Sequence, residues 1–556
     1  GGDDDGSPAP AVQLLVDRAR AAGASVMPQA PALGDIVTRL DGVPLAIELA
    51  APRLATMSPA AVASRLDRIF ELLAPGPAGA PARHRTLRAA VDWSFQLLGP
   101  DARRLFAALS VFRGGWTLDT AERVAPAVDL DEASTAPLMA DLVEQSMIRI
   151  ELPPEGSARY EMLAAIRDYA ADYLAEIGAA GAVADRHAAY FVELAADAVA
   201  HRRGPHEPAW VEGLEIEFAN LRAAYEWLVS SGQLGEALRL VAALIDDVLM
   251  RERLEIGRWA EELVALDGIS REPLRSVALA LAGNTAMVEG RLDDARRLSA
   301  EALAVAVAAG DEPRAWIAHN TLGLLGAADA DEAGWHRHLA AMAAASDASG
   351  DPLPAAVAEF DRVLIASLRG LPAEGVGAAA ALLALANQQR NPSLRAMALL
   401  SQARCLAADD PGSAATVLRE ALASSTSAHN TLLTQQALRA IEELNARRGD
   451  RPAALEALRR VTRRFGESGN VAEQHQTIIS MLDPLVAMGE HAAAATICGA
   501  LSTTPWHHTF AYRMIDKTVA ERLDHDAYLA ARRAGQSMTH VDLVSYTSAL
   551  VRELAT

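Results

Sequence analysis

The sequence predicts a mainly α-helical chain, with one β-hairpin in its N-terminal third and a long array of helix pairs behind it. Hydrophobic residues fill 51% of the 556 positions, but aromatic residues fill only 4%. Ala, Leu, Glu and Arg are abundant, and their side chains lose little rotamer freedom in a helix. Strands favour β-branched and aromatic residues. Few segments offer these, so the composition favours an all-α fold.

The first 80 residues contain short helices between loops. Residues 1–10 are rich in Gly, Asp and Pro, which predicts a flexible tail. Apolar residues recur at helical spacing in 11–22, and Ser58 followed by Pro59 is a typical helix start. We therefore expect a small helical domain over 11–80.

Residues 81–180 change character, because their helical segments end in the only convincing hairpin pattern of the sequence. Helices are predicted over 101–111 and 132–146. The segments 147–152 and 159–162 flank a turn made of Pro, Glu, Gly and Ser. Helices followed by a terminal hairpin predict a winged-helix domain.

From residue 181 onward the pattern is helical, with connecting helices over 181–265 and repeats over 266–556. Turn residues recur about every 40 residues, and a second series of turns lies between them. Two turns per period predict an α-solenoid of helix pairs that resemble tetratricopeptide repeats, whose usual period is about 34 residues. The predicted turns are at Gly290, Gly310, Ala330, Gly350, Gly370, Arg390, Asp410, His429, Gly449, Gly469 and Gly489.

The charge balance argues against general binding to nucleic acids or anionic membranes. The chain has 72 acidic and 51 basic residues, a net charge of −21. The predicted helix 132–146 carries acidic residues and no Arg, which argues against direct DNA reading by the winged helix.

Two basic clusters stand out. The first, Arg83, His84, Arg85 and Arg88, lies at the entry of the winged-helix segment, whereas a DNA-binding winged helix would carry such residues on its recognition helix. The second is interpreted as a solvated outer helix face, with an anionic partner as the alternative. It comprises Arg459, Arg460, Arg463 and Arg464.

The sequence gives no sign of enzymatic or metal chemistry. Lys517 is the single lysine, and no glycine lies in 510–516 before it, so the phosphate-binding pattern Gly-x-x-x-x-Gly-Lys-Ser/Thr is absent. The histidine pairs at 336–338 and 507–508 lack a third ligand at a metal-binding spacing. The run 524–526, Asp-His-Asp, is interpreted as a loop or helix cap, with a charge-tuned histidine as the alternative.

Cysteine usage and hydropathy predict a cytoplasmic protein. Cys405 and Cys498 both lie in helical patterns and are interpreted as unpaired structural thiols, which fits a reducing compartment. We find no signal peptide and no uncharged apolar run near the roughly 18 residues that a membrane span needs.

Several segments, in this order, resemble one family of signalling proteins. Residues 40–51, Leu-Asp-Gly-Val-Pro-Leu-Ala-Ile-Glu-Leu-Ala-Ala, are similar to the Gly-Leu-Pro-Leu-Ala motif of STAND (NB-ARC-like) ATPases. Further segments resemble the branch of bacterial transcriptional regulators, and the resemblance continues into the repeats, so that it covers nearly the whole chain. They are 83–94, 111–116, 160–170, 186–191 and 217–224.

The resemblance implies an upstream nucleotide-binding domain, then a small helical domain, a winged helix and a helical-repeat sensor. A DNA-binding or cyclase module at one end is also implied. The sequence begins in the loop before the helical domain, and no helix-turn-helix pattern follows residue 530. We therefore expect the effector module outside this chain, and ATP or ADP only in the upstream domain, so no cofactor here.

Two nucleotide contacts of the family can be compared residue by residue. Pro44 matches the proline that packs near the nucleotide base, although an ordinary first-turn proline is the alternative interpretation. Met162, Leu163 and Ala164 align with the Met-His-Asp motif, whose histidine contacts a diphosphate. Leu163 and Ala164 have no side-chain hydrogen-bonding group. The resemblance therefore implies that this diphosphate contact is lost.

The leading hypothesis is the regulatory and sensor region of a STAND-type transcriptional regulator. It would bind a protein or small-molecule effector through its repeats and control an ATPase or DNA-binding module, with homo-oligomerisation left open. The alternative is a stand-alone helical-repeat scaffold for protein interactions, without ATPase activity. A phosphate-binding loop encoded in frame upstream would favour the first.

The inner face of the superhelix is the expected partner surface, because the first helix of each pair lines it. An alternative is that the solenoid only spaces other domains. The turns place these first helices at 273–289, 313–329, 353–369, 392–408, 431–448 and 471–488. Their polar residues, expected to be exposed, are the candidate binding positions: Asn284, His319, Asn320, Asp361, Arg362, Gln402, Arg404, Gln435, Gln436, Gln474 and Gln476.

We predict that this chain alone does not hydrolyse ATP. Phosphoryl transfer needs positioned phosphate donors and Mg²⁺ ligands, and the sequence has no phosphate-binding loop. Phosphate release should stay at the level of a buffer blank in a coupled assay. Turnover that persists through stringent purification would contradict this.

Overall fold

A computed structural model shows a helical chain in which the described strands form a single hairpin, as the sequence predicts. The chain divides into two compact units. One comprises Gly1–Phe191 with Ile216–Ser231, and the other comprises Val192–Glu215 with Gly232–Thr556. The structure describes residues 10–21, 24, 31–40, 47, 50–55, 57–65, 91, 95–96, 98–145, 147–152 and 157–554.

The first unit begins with three short helices, α1 (Pro10–Ala21), α2 (Pro31–Arg39) and α3 (Pro59–Arg65). The Ser58 hydroxyl accepts a hydrogen bond from the Ala61 amide at 3.2 Å, which confirms the predicted helix start. Several predicted features lie outside the described residues. These are most of the tail (1–9), the linker at 74–82, the basic residues at 83–88 and Pro44.

The winged helix follows the predicted order of elements. Its helices are α4 (Pro100–Ala108), α5 (Leu118–Val124), α6 (Glu132–Glu144) and, after the hairpin, α7 (Ala164–Glu176). The hairpin strands β1 (Arg149–Glu151) and β2 (Arg159–Glu161) are antiparallel. This arrangement confirms the predicted winged helix with one hairpin.

Trp116 adds a third short strand segment beside β2. The Trp116 amide donates to the Tyr160 carbonyl at 2.9 Å, and the Tyr160 amide donates back at 2.8 Å. A Cβ at Gly115 would lie 2.8 Å from that carbonyl, and the Gly115 φ is +78°. Only glycine fits such a close backbone approach at positive φ, so the Gly-Gly-Trp turn is required for the wing to pack.

Two of the family-like segments contact each other in the first unit. Asn220 accepts from the Arg113 amide at 2.8 Å and donates to the Gly115 carbonyl at 2.9 Å. Glu217, one turn earlier on the same helix, forms an ion pair with Arg159 of β2 at 2.5 Å. The segment 217–224 therefore fixes the turn at 113–116 and the wing.

Two longer helices, α8 (Ala180–His201) and α9 (Glu207–Ser230), contribute residues to both units. The second unit continues with α10 (Leu234–Ala243), α11 (Ile245–Arg251) and α12 (Leu254–Ala265).

The repeats then form consecutive helix pairs, as predicted. Each pair has an inner first helix and an outer second helix. The inner helices are α13 (Arg275–Val288), α15 (Trp316–Ala328), α17 (Leu353–Leu368), α19 (Pro392–Leu406), α21 (Thr431–Arg447) and α23 (Val471–Ala487). The outer helices are α14 (Leu292–Ala309), α16 (Glu332–Ser349), α18 (Val376–Gln389), α20 (Pro411–Ser427), α22 (Arg451–Ser468) and α24 (His491–Leu501).

Three more helices follow, α25 (Phe510–Arg522), α26 (His525–Gln536) and α27 (His540–Leu554). Gly499 and Gly535 permit a close crossing of α24 and α26, because a Cβ on Gly499 would lie 2.2 Å from the Arg532 carbonyl oxygen. None of the described helices is long and apolar enough to cross a membrane.

The predicted turns are confirmed by backbone conformation. Every predicted turn position except Asp410 has positive φ, including the non-glycine residues Ala330 (62°), Arg390 (53°) and His429 (52°). This left-handed conformation is the usual way to end a helix. Asp410 instead caps the next helix, because its carboxylate accepts from the Ser413 amide at 3.0 Å.

The superhelix of the second unit brings early and late repeats together. A Cβ on Gly290, in the first pair, would lie 3.3 Å from Val471 Cγ1 at the start of the last inner helix. The Asn470 amide donates to Glu252 Oε1 at 2.7 Å. The Asn391 amide donates to the Arg202 carbonyl at 2.8 Å. Segments that precede the repeats therefore pack against the ends of the inner helices.

Buried ion pairs stabilise that packing. Arg202 Nη1 contacts Asp247 Oδ2 at 2.5 Å, with both side chains buried. Arg203 pairs with Asp246 and, at 2.7 Å, with Asp351, which lies at the start of α17. These charges satisfy one another, which is the condition for burying them without a large penalty.

We predict opposite effects for two matched substitutions at turns. Ala330→Gly should stabilise the second unit by up to about 1 kcal/mol, because an L-residue is strained at positive φ. Gly310→Ala should destabilise it by about 1 kcal/mol for the same reason. A Cβ at position 310 meets nothing within 4 Å, so a steric clash does not contribute to this loss. Unfolding midpoints in guanidinium chloride measure both changes. Equal signs for the two variants would contradict the backbone explanation.

Candidate functional site

The second unit contains a partly open cavity of about 350 Å³ on the inner side of its repeats. Four features line it: inner helices, the segment 248–254 around the end of α11, the turn at 288–292, and the segment 503–509 before α25. A volume of this size lies in the range of small-molecule sites.

Most of the cavity wall is apolar. Large side chains from separate elements form it, including Met250, Trp316, Phe360, Met397 and Trp506. Trp316 and Phe360 are only 8% and 7% exposed. Such walls give a ligand apolar contact area, while polar groups between them set its orientation.

Asn284 is a buried polar side chain without a hydrogen-bond partner in the described part of the chain. It lines the cavity from α13 and is 4% exposed. Its donor and acceptor are thus available to a molecule in the cavity.

Asp361 brings a carboxylate to the same cavity from α17. It is 4% exposed, and Asn320 Nδ2 donates to its Oδ2 at 2.5 Å. Burial raises the pKa of Asp361 to about 8, although the charge of Arg404 and the Asn320 hydrogen bond act in the opposite direction. The carboxyl is therefore largely protonated at neutral pH.

Arg404 lies close enough to influence Asp361 but forms no ion pair among the described residues. Its guanidinium lies over the Phe360 ring, 4.9 Å from the centroid. Its Nη2 donates to Gln436 Oε1 at 3.1 Å, and its buried Nη1 has no partner within the described chain. A cation–π contact of this kind holds the guanidinium without neutralising it.

A chain of hydrogen bonds continues from Gln436 to the last inner helix. Gln436 Nε2 donates to Glu473 Oε1 at 2.7 Å, and Arg439 contacts Glu473 Oε2 at 2.5 Å. Glu473 is thus a carboxylate of the cavity lining that has a guanidinium in direct contact.

Glu252, in contrast, has only neutral hydrogen-bond partners within the described chain, the side chains of Asn470 and Ser468. It ends α11 in the left-handed conformation, with φ of 55°, and accepts from Asn470 at 2.7 Å. Burial raises the pKa of Glu252 to about 7, and the neighbouring charge of Glu473 acts in the same direction. It lines the cavity beside the N-terminus of α23.

The histidines near the inner helices form pairs. His319 Nδ1 lies 2.9 Å from His338 Nδ1, and His475 Nε2 lies 3.0 Å from His540 Nδ1. Burial, with the partner histidine, lowers the pKa of both His319 and His475 to about 4. Across the described chain, no group of three or more His, Cys, Asp or Glu side chains is arranged to hold a metal ion.

The structure corrects the exposure expected for several candidate positions. Four of them, Asn284, Asn320, Asp361 and Gln436, are buried and line the cavity together. Gln474 is also buried, and its amide donates to the Thr462 carbonyl at 3.1 Å. Their burial arises because the inner side of the superhelix is narrow and the chain before the repeats packs against it.

The remaining candidates do not line the cavity. Arg362 is exposed and lies 3.7 Å from Glu359. His319, Gln402, Arg404, Gln435 and Gln476 are half-buried. Which candidates bind a partner stays a prediction.

Sequence reasoning missed several lining residues that precede or follow the inner helices. Met250 and Glu252 lie at the end of α11, and Trp506 lies in the segment before α25. Glu473 and His475 lie on α23, an inner helix that the turn spacing did identify. The charged residues around 246–252 carry no repeat signal, so only the fold reveals their position.

The winged helix offers no basic recognition surface on α6. Exposed positions of this helix include Glu132, Asp141 and Glu144, and its sequence contains no Lys or Arg. On the hairpin, Ile150 is 40% and Leu152 76% exposed. The composition of these faces differs from that of a groove-reading helix.

The outer arginine row has carboxylate partners on its own helix. Arg459 contacts Glu456 at 2.6 Å, and Arg464 contacts Glu467 at 3.1 Å. Arg460 and Arg463 lie 3.5 and 3.7 Å from the same two carboxylates. This is the pattern of a solvated helix face with local ion pairs.

Comparison with known proteins identifies the winged helix. Residues 98–175 match the family model described as "Winged helix-turn-helix domain". The "Putative HTH-type transcriptional regulator" of Mycobacterium tuberculosis and that of Mycobacterium bovis are 40% identical to this chain over 241 residues. That match covers 42% of this chain and 26% of each regulator, so it spans about a quarter of the relatives' own length.

Two further similarities extend the comparison. An "Uncharacterized protein" of Mycobacterium tuberculosis is 40% identical over 181 residues, which are 32% of this chain and 46% of that protein. A solved structure of a Signal Transduction ATPase with Numerous Domains (STAND) protein with a tetratricopeptide repeat sensor, from Pyrococcus horikoshii, aligns with 98% of this chain and 74% of its own. The identity is 13% and the TM-score is 0.41. The family model and the regulators bear out the predicted resemblance to winged-helix transcriptional regulators.

We predict that Asp361→Asn changes the pH dependence of stability. The Asp361 carboxyl titrates near pH 8 in the folded chain against an ordinary value of 3.8. The folded chain therefore holds a proton that the unfolded chain releases, and stability falls as pH rises from about 4 to 8. Asparagine cannot ionise, so the free energy of unfolding of the variant should rise relative to that of the wild type by on the order of 5 kcal/mol between pH 4 and pH 8.

Chemical unfolding at several pH values measures this difference. Glu359→Gln is the matched control on the same helix, because Glu359 is half-buried and lies 3.7 Å from Arg362. The control should keep most of the pH dependence of the free energy of unfolding that the wild type shows. Identical profiles for wild type and Asp361→Asn would refute the assignment.

We also predict that this chain alone binds DNA weakly and without sequence preference. The exposed face of α6 is acidic, and phosphate neutralisation by Lys and Arg supplies most of non-specific affinity. A gel-shift assay in low salt should show no discrete complex at micromolar concentrations of the chain. A tight, sequence-specific band under those conditions would show that another surface reads DNA.

Proposed function

We propose that the chain is the sensor region of a STAND-type signal-transducing transcriptional regulator, and that a small molecule bound in the cavity is the signal. The observation that carries this proposal is the cavity of about 350 Å³ inside the repeat unit. Its polar lining side chains come from inner helices far apart in the sequence. A ligand there would contact several repeats at once.

The regulatory half of the proposal is supported by the winged helix at 98–175 and by the mycobacterial relatives named as HTH-type transcriptional regulators. Control of an ATPase or DNA-binding module outside this chain follows from the resemblance of 40–51 to STAND ATPases. In this proposal the chain itself is not an enzyme and needs no cofactor. A stand-alone scaffold remains the competing function.

The proposal predicts that filling the cavity abolishes ligand uptake. Ala328 lines the cavity, so Ala328→Phe should occupy part of it. Ala380 is exposed on α18, away from the cavity, so Ala380→Phe is the matched control. N-phenylnaphthylamine, an uncharged dye that fluoresces in apolar surroundings, serves as the probe. We expect Ala328→Phe to weaken dye binding at least about ten-fold, which corresponds to about 1.4 kcal/mol.

The control and the wild type should bind the dye equally. Thermal unfolding of all three chains shows whether each substitution leaves the fold intact. A chain that only spaces other domains would take up no dye, or would bind it equally in the Ala328→Phe variant. Either result would favour the scaffold over the sensor.

A further inference from the structure

The cavity that the proposed function assigns to a ligand has an unbalanced set of charges. Three carboxylates line it: Glu252 directly after α11, Asp361 on α17 and Glu473 on α23. Arg369 is the one guanidinium among the lining residues of the described chain, and it already lies 3.5 Å from Glu332. The lining is therefore short of positive charge.

Two of the three carboxylates have no cation in direct contact among the described residues. Glu473 pairs with Arg439 at 2.5 Å. Asp361 accepts from Asn320, and Glu252 accepts from Asn470, both of which are neutral amides. A buried carboxylate must be protonated or find a counter-charge. Burial raises the pKa of both groups, in agreement with the missing cation.

The nearest guanidinium does not remove this imbalance. Arg404 is held over the Phe360 ring at 4.9 Å and donates to Gln436 at 3.1 Å. The described chain contains no ion pair between Arg404 and Asp361. The side chain of Asn284, buried on the same cavity wall, also has no partner there. Asp361 and Asn284 therefore offer polar contacts in a wall that is mostly apolar.

We infer that the cavity receives an apolar organic amine, whose ammonium group is paired with the Asp361 carboxylate and whose apolar body packs against Trp316, Phe360 and Trp506. Asn284 offers an amide to a further polar group of the same molecule. This inference rests on the proposed sensor function and adds the chemical class of the signal. An anionic ligand would find no free guanidinium among the described lining residues, because Arg369 already lies 3.5 Å from Glu332.

Three compounds with one scaffold and different head groups test the inference. They are 4-phenylbutylamine, 4-phenylbutan-1-ol and 4-phenylbutanoic acid, each titrated calorimetrically into the complete 556-residue chain. The amine should bind at least about ten-fold more tightly than the alcohol, because a hydrogen bond to a charged group contributes about 1.5–3 kcal/mol. The acid should bind most weakly.

Variants of the carboxylates locate the ammonium group. Asp361→Asn should bring the affinity for the amine to that of the alcohol, whereas Glu359→Gln should keep the wild-type preference. Asp361→Leu is a second variant with a neutral side chain, in case the asparagine chain does not fold. Loss of the preference in Glu252→Gln but not in Asp361→Asn would overturn the assignment to Asp361.

The outcomes separate this inference from the proposed function. Equal binding of amine and alcohol to the wild type overturns the amine inference, yet leaves the cavity as a ligand site. Absence of binding by all three compounds also overturns it. The sensor proposal is tested separately, by the binding of N-phenylnaphthylamine to the wild type and the loss of this binding in Ala328→Phe.

Discussion

The repeat unit depends on polar side chains that cap its inner helices and at the same time hold the chain that precedes the repeats. Asn391, Asn430 and Asn470 each accept a hydrogen bond from the backbone amide three residues later, at 2.8, 3.0 and 3.0 Å. The same side chains donate outward, Asn391 to the Arg202 carbonyl and Asn470 to Glu252. Each of these side chains thus caps the N-terminus of a helix and also forms a tertiary hydrogen bond. A substitution at one of them would therefore remove both interactions.

Charge pairing explains why these contacts can be buried. Arg251 contacts Glu207 at 3.1 Å, and both side chains are 5% exposed. The Glu207 carboxylate also accepts from the Ser393 amide at 2.9 Å, near the start of α19. Removing one partner of such a pair leaves an uncompensated buried charge, which costs about 3–5 kcal/mol. The network therefore fixes the position of α11 against the repeats and, with it, one wall of the cavity.

The fold could be predicted from the sequence to a large extent, because its signals are local. A helix end needs a residue that tolerates positive φ, and the spacing of such residues located the inner helices. The hairpin strands pair as predicted, since Ile150 lies opposite Tyr160. The Gly-Gly-Trp turn and Asn220 are recognisable as segments, yet only the fold shows that they contact each other.

The candidate site could be predicted only in part, because burial is a long-range property. The inner helices were identified, and four of their polar residues do meet at the cavity. The prediction that these residues are exposed was wrong, because the local sequence around Asn284 or Asp361 does not reveal which elements pack against them. Helix α11, Ile-Asp-Asp-Val-Leu-Met-Arg, has the charged composition of a surface helix. Its two aspartates are nevertheless 5% exposed, because Arg202 and Arg203 neutralise them.

The position of the cavity also sets a physical condition on how a ligand would regulate the protein. A ligand shifts an equilibrium only by the difference between its affinities for the two states. Asp361 and Glu473 lie two and five helix pairs along from α13, and Glu252 precedes the repeats. A molecule that contacts all three would be bound fully only while early and late repeats stay together. Ligand at 100 times its dissociation constant stabilises such a state by about 2.7 kcal/mol over any arrangement that does not bind it, which changes their population ratio about a hundred-fold.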